Sequence, residues 1–562
     1  MIDVFRGYNH NLRINEGEFY DMENMTSDNY PILSPRKPRK TFIKSKNLTG
    51  MTSKDVLCYV DGENFVVGED IVNMGLSSEP KTLVSMASYV IILPDKKFIN
   101  TANLDDHGDI EAETKTTAQT TFSLCKADGA GYDKLDFSPT APQNPQNMDL
   151  WIDTSTTPNS LKQYSSNSGT WVSVASTYIK ISSVGIGKSF EAGDGVSISG
   201  IESKALADLN NTMVIQAKGD DFIVVIGIID QVTTQEAPIT IKRLMPTLDF
   251  VIESGNRLWG CRYGEAQNGE MVNEIYASKL GDFKNWHSFQ GISTDSYTAS
   301  CGSDGAFTGA ITHLGYPIFF KENCMHKVYG NFPANYQIQT TDCRGVQKGS
   351  HKSLAIVNEI LYYKSRLGVC AYDGSLPVEV SADLGDVAYF DAVGGAHGNK
   401  YYISMADNGG KYHFFVYDTS KGLWHKEDNT KVTQFCSHRN EMYFLDNTLG
   451  EIKSVFGDST TGEDIRWKAE SGTIGFDSPD KKYISNMMVR LSLEFGSKVF
   501  FYIMYDSSGR WEHVGTIVGN NLRSMNVPVR PLRCDHFRLK IEGEGGAKIY
   551  SICKTLEQGS DY

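Results

Sequence analysis

Hydrophobic positions in this chain fall into short runs of three to five residues, each broken by Gly, Asp, Asn or Pro, and the runs come in pairs. Between about residue 245 and residue 457 the pairing becomes a repeat. Phe250-Val251-Ile252 leads into Leu258-Trp259-Gly260 and Glu274-Ile275-Tyr276-Ala277-Ser278, and Ala310-Ile311 into Ile318-Phe319-Phe320 and Lys327-Val328-Tyr329. Leu354-Ala355-Ile356 precedes Ile360-Leu361-Tyr362-Tyr363 and Val369-Cys370-Ala371-Tyr372; Tyr401-Tyr402-Ile403-Ser404 precedes Phe414-Phe415-Val416-Tyr417; Phe435-Cys436 precedes Met442-Tyr443-Phe444-Leu445 and Glu451-Ile452-Lys453-Ser454-Val455. Runs of this length bounded by turn formers read as strands in hairpins. A period of about 40–50 residues with three or four strands per unit is that of propeller blades. One blade cannot cover both faces of its own sheet, and stacking neighbours in a ring does so while leaving only short edges.

Two more such units precede the repeat. Val56-Leu57-Cys58-Tyr59-Val60 turns at Asp61-Gly62 into Phe65-Val66-Val67, and Tyr89-Val90-Ile91-Ile92-Leu93 turns at Pro94-Asp95 into Phe98-Ile99. Residues 105–244 interrupt the rhythm with a Thr-rich stretch, the prolines Pro139, Pro142, Pro145 and Pro158, and strand-like runs at Leu150-Trp151-Ile152-Asp153, Thr170-Trp171-Val172-Ser173-Val174, Tyr178-Ile179-Lys180-Ile181 and Phe222-Ile223-Val224-Val225-Ile226. They read as one or two small β-domains inserted into the propeller. Residues 466–562 form a separate module of about seven strands, in which Arg490, Ser492, Arg538 and Lys540 alternate with apolar residues as in a sheet with one wet face. The chain is therefore expected to be all-β: a propeller of about six or seven blades (51–104 and 245–465), the insertion (105–244) and a C-terminal β-sandwich (466–562). Residues 1–50 are polar and punctuated by Tyr30-Pro31 and by Ser34-Pro35-Arg36-Lys37-Pro38-Arg39-Lys40. A proline holds the residue before it extended, so this segment is expected to be an arm, with Tyr30, Arg36, Lys37, Arg39 and Lys40 as candidate contacts to a neighbouring subunit.

Composition narrows the function classes. At 562 residues the chain has length for several domains. Its net charge of −14 argues against a broad nucleic-acid surface, which needs an excess of Lys and Arg. The 10 cysteines include no CxxC pair and read as thiols packed in β-cores of a protein folded in a reducing compartment. Met1–Tyr8 lacks the pattern of a secretory signal, and no apolar run reaches the roughly 18 residues that a membrane span needs.

Catalytic motifs are sparse. The chain has no GxSxG and no HExxH. Gly185-Ile186-Gly187-Lys188-Ser189 ends like a phosphate loop, but strand-like flanks and Ser182 at the first glycine position make it a hairpin turn. Asp105-Asp106 and Asp220-Asp221 lack the alternating spacing of a calcium loop, and no cofactor or metal is expected. Acidic residues recur in turns before a tryptophan, Asp282 with Trp286, Asp418 with Trp424 and Asp506 with Trp511, and the last, Tyr505-Asp506-Ser507-Ser508-Gly509-Arg510-Trp511, loosely resembles the Asp-box turn of sialidases. There the Asp caps a turn and the Trp packs on the sheet, a structural device. Trp151, Tyr164 and Trp171 could form an aromatic platform for a glycan, or could be the core of their small sheet.

Several stretches resemble bacteriophage structural proteins. Gly17-Glu18-Phe19-Tyr20-Asp21-Met22-Glu23-Asn24-Met25, continued by Asp28-Asn29-Tyr30-Pro31-Ile32-Leu33-Ser34-Pro35-Arg36, resembles the start of tail or neck proteins in phages of Gram-positive bacteria. Asn273-Glu274-Ile275-Tyr276-Ala277-Ser278-Lys279-Leu280-Gly281-Asp282-Phe283-Lys284-Asn285-Trp286 resembles a propeller blade of the packaged-DNA stabilisation (tail accessory hub) family of short-tailed phages. Pro142–Thr154 with Gly169-Thr170-Trp171-Val172 is similar to decoration modules of tail fibres. The resemblance implies a virion component that does no chemistry: a ring subunit of the tail or neck, assembled in the host bacterial cytoplasm. Its implied partners are copies of itself, other tail or neck proteins, and genomic DNA passing through the channel. The alternatives are a receptor-binding or baseplate protein that recognises a host-surface glycan, and a propeller glycosidase.

Overall fold

A computed structural model describes residues 1–266, 269–457, 465–475, 480–519 and 522–558. The chain is almost entirely β. Seven four-stranded sheets make up the propeller, six of them simple antiparallel meanders: 48–73, 82–109, 250–300, 309–342, 355–379 and 389–428. The seventh takes three strands from 434–454 and its outermost strand, Lys40–Lys44, from near the N-terminus, paired antiparallel with Glu451–Ser454.

The first strands of the sheets follow one another around a common centre. Leu48–Ser53 touches Thr82–Met86, which touches Phe250–Ser254, which touches Gly309–His313. The turn His351–Ser353 carries the contact on to the fifth sheet, whose Ala355–Val357 meets Tyr389–His397; that strand meets Gln434–His438, which returns to Leu48–Ser53. At this last contact the Gln434 amide clamps the backbone of Met51, accepting from its N–H (3.0 Å) and donating to its carbonyl (2.6 Å). His438 Nδ1 lies 2.9 Å from Ser53 Oγ. Apolar side chains fill the spaces between neighbouring sheets: Val60 and Phe65 with Val90 and Ile92, Trp259 and Ile275 with Phe319, Ile318 and Phe320 with Leu361 and Tyr363, and Phe414 with Met442 and Phe444.

The insertion leaves and re-enters on paired strands, with Ala112 opposite Arg243. Two sheets, one of four strands and one of five, enclose a core that includes Phe122, Ile179, Ile181, Ile198, Ile223 and Ile241. A further four-stranded sheet (Asp136–Ser138, Leu150–Asp153, Ser160–Ser165, Thr170–Ser173) lies in the connection between Thr120–Cys125 and Tyr178–Ser182. Asp194 fixes the insertion to the third blade. It pairs with Arg243 at 2.6 Å and accepts from the Asn285 amide at 2.9 Å. Gly195 sits so close to this blade that a Cβ there would come within 2.3 Å of the His287 carbonyl oxygen.

The C-terminal module is a sandwich of a five-stranded and a three-stranded sheet, and the edge strand of the larger one is Phe19–Glu23. This corrects the expectation of a free arm at 1–50. Ile2 bridges to Ile552 and Leu33 to Ile549. Phe5, Tyr8, Phe19, Met22 and Met25 are buried in one core with Tyr389, Phe415 and Trp424 of the propeller and Phe501 and Ile541 of the sandwich. Arg36 and Arg39 are buried too. Arg39 reaches Glu427 (2.6 Å) and Asp428 (2.7 Å), and Arg36 lies 3.7 Å from each. Two guanidinium groups meeting two carboxylates in a dry setting leave no charge unpaired, which is the condition under which burying them is tolerable. Lys40 opposes Ser454 in the seventh sheet. Only Tyr30, Lys37 and Lys40 of the five proposed contact residues are exposed.

In two of the three Asp–Trp stretches the Asp caps its own turn. Asp282 Oδ1 accepts from the Lys284 N–H (3.0 Å) and Asp418 Oδ1 from the Ser420 N–H (3.2 Å), and Trp286 and Trp424 are buried against their sheets. The third differs. Asp506 Oδ1 reaches across to the N–H groups of Asp535 and His536, and Trp511 is only half-buried. The Gly185–Ser189 stretch is a turn followed by no helix, and Gly185 N–H donates to Asp221 Oδ1 at 2.7 Å. The cysteines are free thiols, six of them buried. Among the described residues no helix is long and apolar enough to cross a membrane, and no cluster of His, Cys, Asp or Glu is placed to hold a metal.

Candidate functional site

Where the first strands converge they enclose a cavity of about 600 Å3. Six of the seven sheets, or the segments leading into them, contribute to its wall: Thr82 and Leu83, Phe250 and Val251, Ala310 and Ile311, His351, Lys352 and Leu354, Val393 and Gly394, Gln434 and Phe435. Met245 and Leu248, on the segment that re-enters the propeller from the insertion, complete it. Each first strand turns alternate side chains toward its neighbours and toward the centre, so the wall mixes aliphatic groups with a few polar ones.

The charged groups at this wall are mostly cationic. Lys81 is buried, paired with Asp95, and donates to Ser77 Oγ at 2.6 Å. Lys96 pairs with Glu111 at 2.7 Å and donates to the Met245 carbonyl at 3.1 Å. Asp249 is held by Arg262 at 3.2 Å and by the Tyr263 N–H at 2.8 Å. Among the described residues Lys352 has no carboxylate partner; its ammonium donates to the Thr433 carbonyl at 3.2 Å. Burial lowers the Lys352 pKa, and burial together with the Lys352 charge pushes the adjacent His351 down to about 4. His351 is therefore neutral near pH 7, with its ring 5.2 Å from that of Phe250.

This lining bears on catalysis. Glycoside hydrolysis ordinarily needs two carboxyl groups flanking the bond to be cut. Asp249 is the single carboxylate lining the cavity among the described residues, and it is already engaged. The arrangement can bind and orient an anion.

The aromatic residues singled out from sequence do come together, in two different roles. Trp151 is buried, its indole N–H donating to the Ser138 carbonyl at 2.9 Å. Trp171 packs edge-on against both Trp151 and Tyr164, at 5.4 Å in each case, and is a cross-strand partner of Tyr164. Tyr164 and Trp171 are half-exposed, and the Lys162 ammonium lies 5.0 Å from the Trp151 ring. One tryptophan thus serves as core, and the other two rings form a surface pair. The cavity itself was missed from sequence. Its wall is assembled from segments hundreds of residues apart, and the one available signal was the His351-Lys352 pair just before a blade's first strand.

Three imidazoles, the buried His326 and His425 and the half-buried His351, give the fold a pH dependence. His326 and His351 are pushed down to about 4 and His425 to about 3, in each case first by burial and then by a nearby lysine (Lys321, Lys352 and Lys400). An unfolded chain takes up protons on these groups below their ordinary pKa of 6.5, whereas the folded chain does not until near pH 4 or 3. Their contribution to stability is complete above pH 6.5 and is lost as pH falls from there toward 4. The guanidinium chloride midpoint is expected to drop between pH 7.5 and pH 5; an unchanged midpoint would contradict the placement of these rings.

No protein-family model matches the chain, and no curated protein does. Among solved structures, it is similar to an exo-β-1,3-galactanase from Phanerochaete chrysosporium at 8% identity, over 53% of this chain and 95% of that one, with a TM-score of 0.22. It is also similar to an acylaminoacyl peptidase from Pyrococcus horikoshii (9% identity, 56% and 55% of the two chains, TM-score 0.25) and to an engineered GH43 glycoside hydrolase (8%, 55% and 96%, TM-score 0.21). Likeness this weak says nothing about the chemistry of this chain.

Proposed function

We propose that this chain is a structural component of a bacteriophage virion, a subunit of a tail or neck hub ring that contributes to tail assembly and to retention of packaged DNA. One observation carries the reading. The stretch from Gly17 to Arg36, whose sequence resembles the start of phage tail and neck proteins, is the stretch that fastens the sandwich to the propeller, through the strand Phe19–Glu23 and the buried Arg36. A wall subunit needs its domains locked together, and this segment does that. Head-to-tail contacts between copies would generate the ring, with exposed Tyr30, Lys37 and Lys40 available at the surface. The net charge of −14 suits a channel through which DNA slides without sticking. The chain is proposed to do no chemistry, to reside in the virion after assembly in the host cytoplasm, and to contact other tail or neck proteins.

The test is electron cryomicroscopy of intact particles with this protein labelled. Label in a symmetric ring at the neck or tail is expected; particles without label, with the protein left free in the lysate, would overturn the proposal. A second reading, recognition of a host-surface glycan, is favoured by the half-exposed Tyr164–Trp171 pair on the inserted module. On a glycan array it requires binding that Trp171→Ala abolishes. Absence of binding by the unaltered protein dismisses it.

A further inference from the structure

We propose that the central cavity of the propeller is a binding site for a small organic anion: a carboxylate or phosphate group carried on an apolar body. Of the groups at the wall, Lys81 and Lys96 each have a carboxylate partner, Asp95 and Glu111, and Asp249 has Arg262. Lys352 is left over. It is half-buried, and its ammonium has three donors, of which one is used among the described residues, on the carbonyl of Thr433. A cation withdrawn from water and not matched by an anion is costly, and an oxyanion beside it removes that cost. Burial lowers the Lys352 pKa, in keeping with that cost.

The surroundings define the rest of the ligand. His351 is adjacent, and its ring makes no hydrogen bond to any described residue, so a neutral imidazole N–H is available as a second donor to the same oxyanion. Leu83, Leu248, Phe250, Ile311, Leu354 and Phe435 supply apolar wall for a ligand body. A volume of about 600 Å3 falls within the range of small-molecule sites. An inorganic ion would satisfy Lys352 and leave the apolar wall unused; a neutral apolar ligand would leave Lys352 unmatched. The inference is independent of where in a particle the chain resides.

Isothermal titration of the full-length protein with phenyl phosphate and with benzoate tests the proposal, with phenol and benzyl alcohol as neutral counterparts. At least one of the two anions is expected to bind saturably at one site per chain. The neutral compounds should bind at least tenfold more weakly, and Lys352→Met should weaken the anion at least tenfold. Because Lys352→Met removes a half-buried charge with no carboxylate partner among the described residues, its thermal midpoint should equal or exceed that of the parent. Should that variant not fold, Lys352→Gln and a structure of the parent soaked in phenyl phosphate replace it, the phosphate being expected against Lys352 Nζ. No binding by either anion, equal binding by phenol, undiminished binding by the variants, or ligand bound elsewhere would each overturn the proposal.

Discussion

Arg39→Met is expected to destabilise the protein by about 3–5 kcal/mol, the cost of stripping one partner from a buried ion pair. Arg39 is the main counter-charge for two carboxylates, at 2.6 Å from Glu427 and 2.7 Å from Asp428, and it also donates to Thr430 Oγ1 at 3.1 Å. Its guanidinium lies 4.7 Å from the centre of the Phe414 ring and 5.0 Å from that of Phe444, so the stem packs where water does not reach. Burial pushes the Asp428 carboxyl up, and Arg39 is the first of the groups that bring it below its ordinary value. Without Arg39, Glu427 and Asp428 lose the nearer of their two arginines. The effect is read as a lowered guanidinium chloride midpoint. Adding Glu427→Leu to Arg39→Met removes both members of the 2.6 Å pair and should recover part of the loss, because replacing a whole buried pair by apolar groups is often close to neutral. A double variant as weak as the single one would show that the guanidinium acts through packing rather than charge.

Trp424→Ala is expected to cost about as much, roughly 3–5 kcal/mol, as deletion of a fully buried aromatic side chain usually does. Trp424 lies where three parts of the molecule meet. Its indole N–H donates to the Val380 carbonyl at 2.7 Å, its ring packs on Tyr417 at 4.9 Å, and its backbone carbonyl accepts from the Tyr8 N–H at 2.6 Å. Gly7 passes so close that a Cβ there would stand 2.4 Å from that carbonyl, and its positive φ of 82° suits glycine. Truncation leaves a cavity under the N-terminal segment and an unpaired carbonyl, so the segment should loosen first. Limited proteolysis within residues 8–20 should accelerate before global unfolding. Trp424→Phe retains most of the packing and should lose only about 1–3 kcal/mol, for the unsatisfied Val380 carbonyl.

The propeller was legible in the sequence because each blade is a local meander. Runs such as Tyr401-Tyr402-Ile403-Ser404 and Phe414-Phe415-Val416-Tyr417 pair with each other across a short turn, Tyr402 opposite Val416. Blade spacing, the insertion and the sandwich all follow from signals within a few tens of residues. The N-terminal segment was misread for the converse reason. Pro31, Pro35 and Pro38 correctly announce extended backbone, but what covers that backbone lies about 400 residues away. Arg39 with Glu427, and Lys40 with Ser454, are pairings that local composition cannot reveal. A basic run is normally a solvated one; here two of its arginines are neutralised by Glu427-Asp428, whose role sequence alone does not single out. The two tryptophans of the inserted sheet illustrate the same limit. Trp151 is on an inner strand and Trp171 on the edge strand Thr170–Ser173, and strand order, which their similar flanking sequences do not encode, decides which one is buried. Lys352 could be placed before a blade from sequence, whereas its lack of a carboxylate partner becomes visible only once six sheets converge on one cavity.

The central claim is that a strand from the N-terminus completes the seventh sheet and so helps lock seven sheets into one rigid scaffold. Lys44 and Glu451 are directly opposed in that sheet, and antiparallel partners stand about 4.5–5.5 Å apart at Cα, within the reach of a disulfide. The decisive measurement is peptide mass spectrometry of the Lys44→Cys, Glu451→Cys double variant after mild oxidation of the folded monomer. Near-complete formation of the 44–451 disulfide within one chain is the expected result. A folded protein in which these thiols stay reduced, or link only between separate chains, would contradict the account.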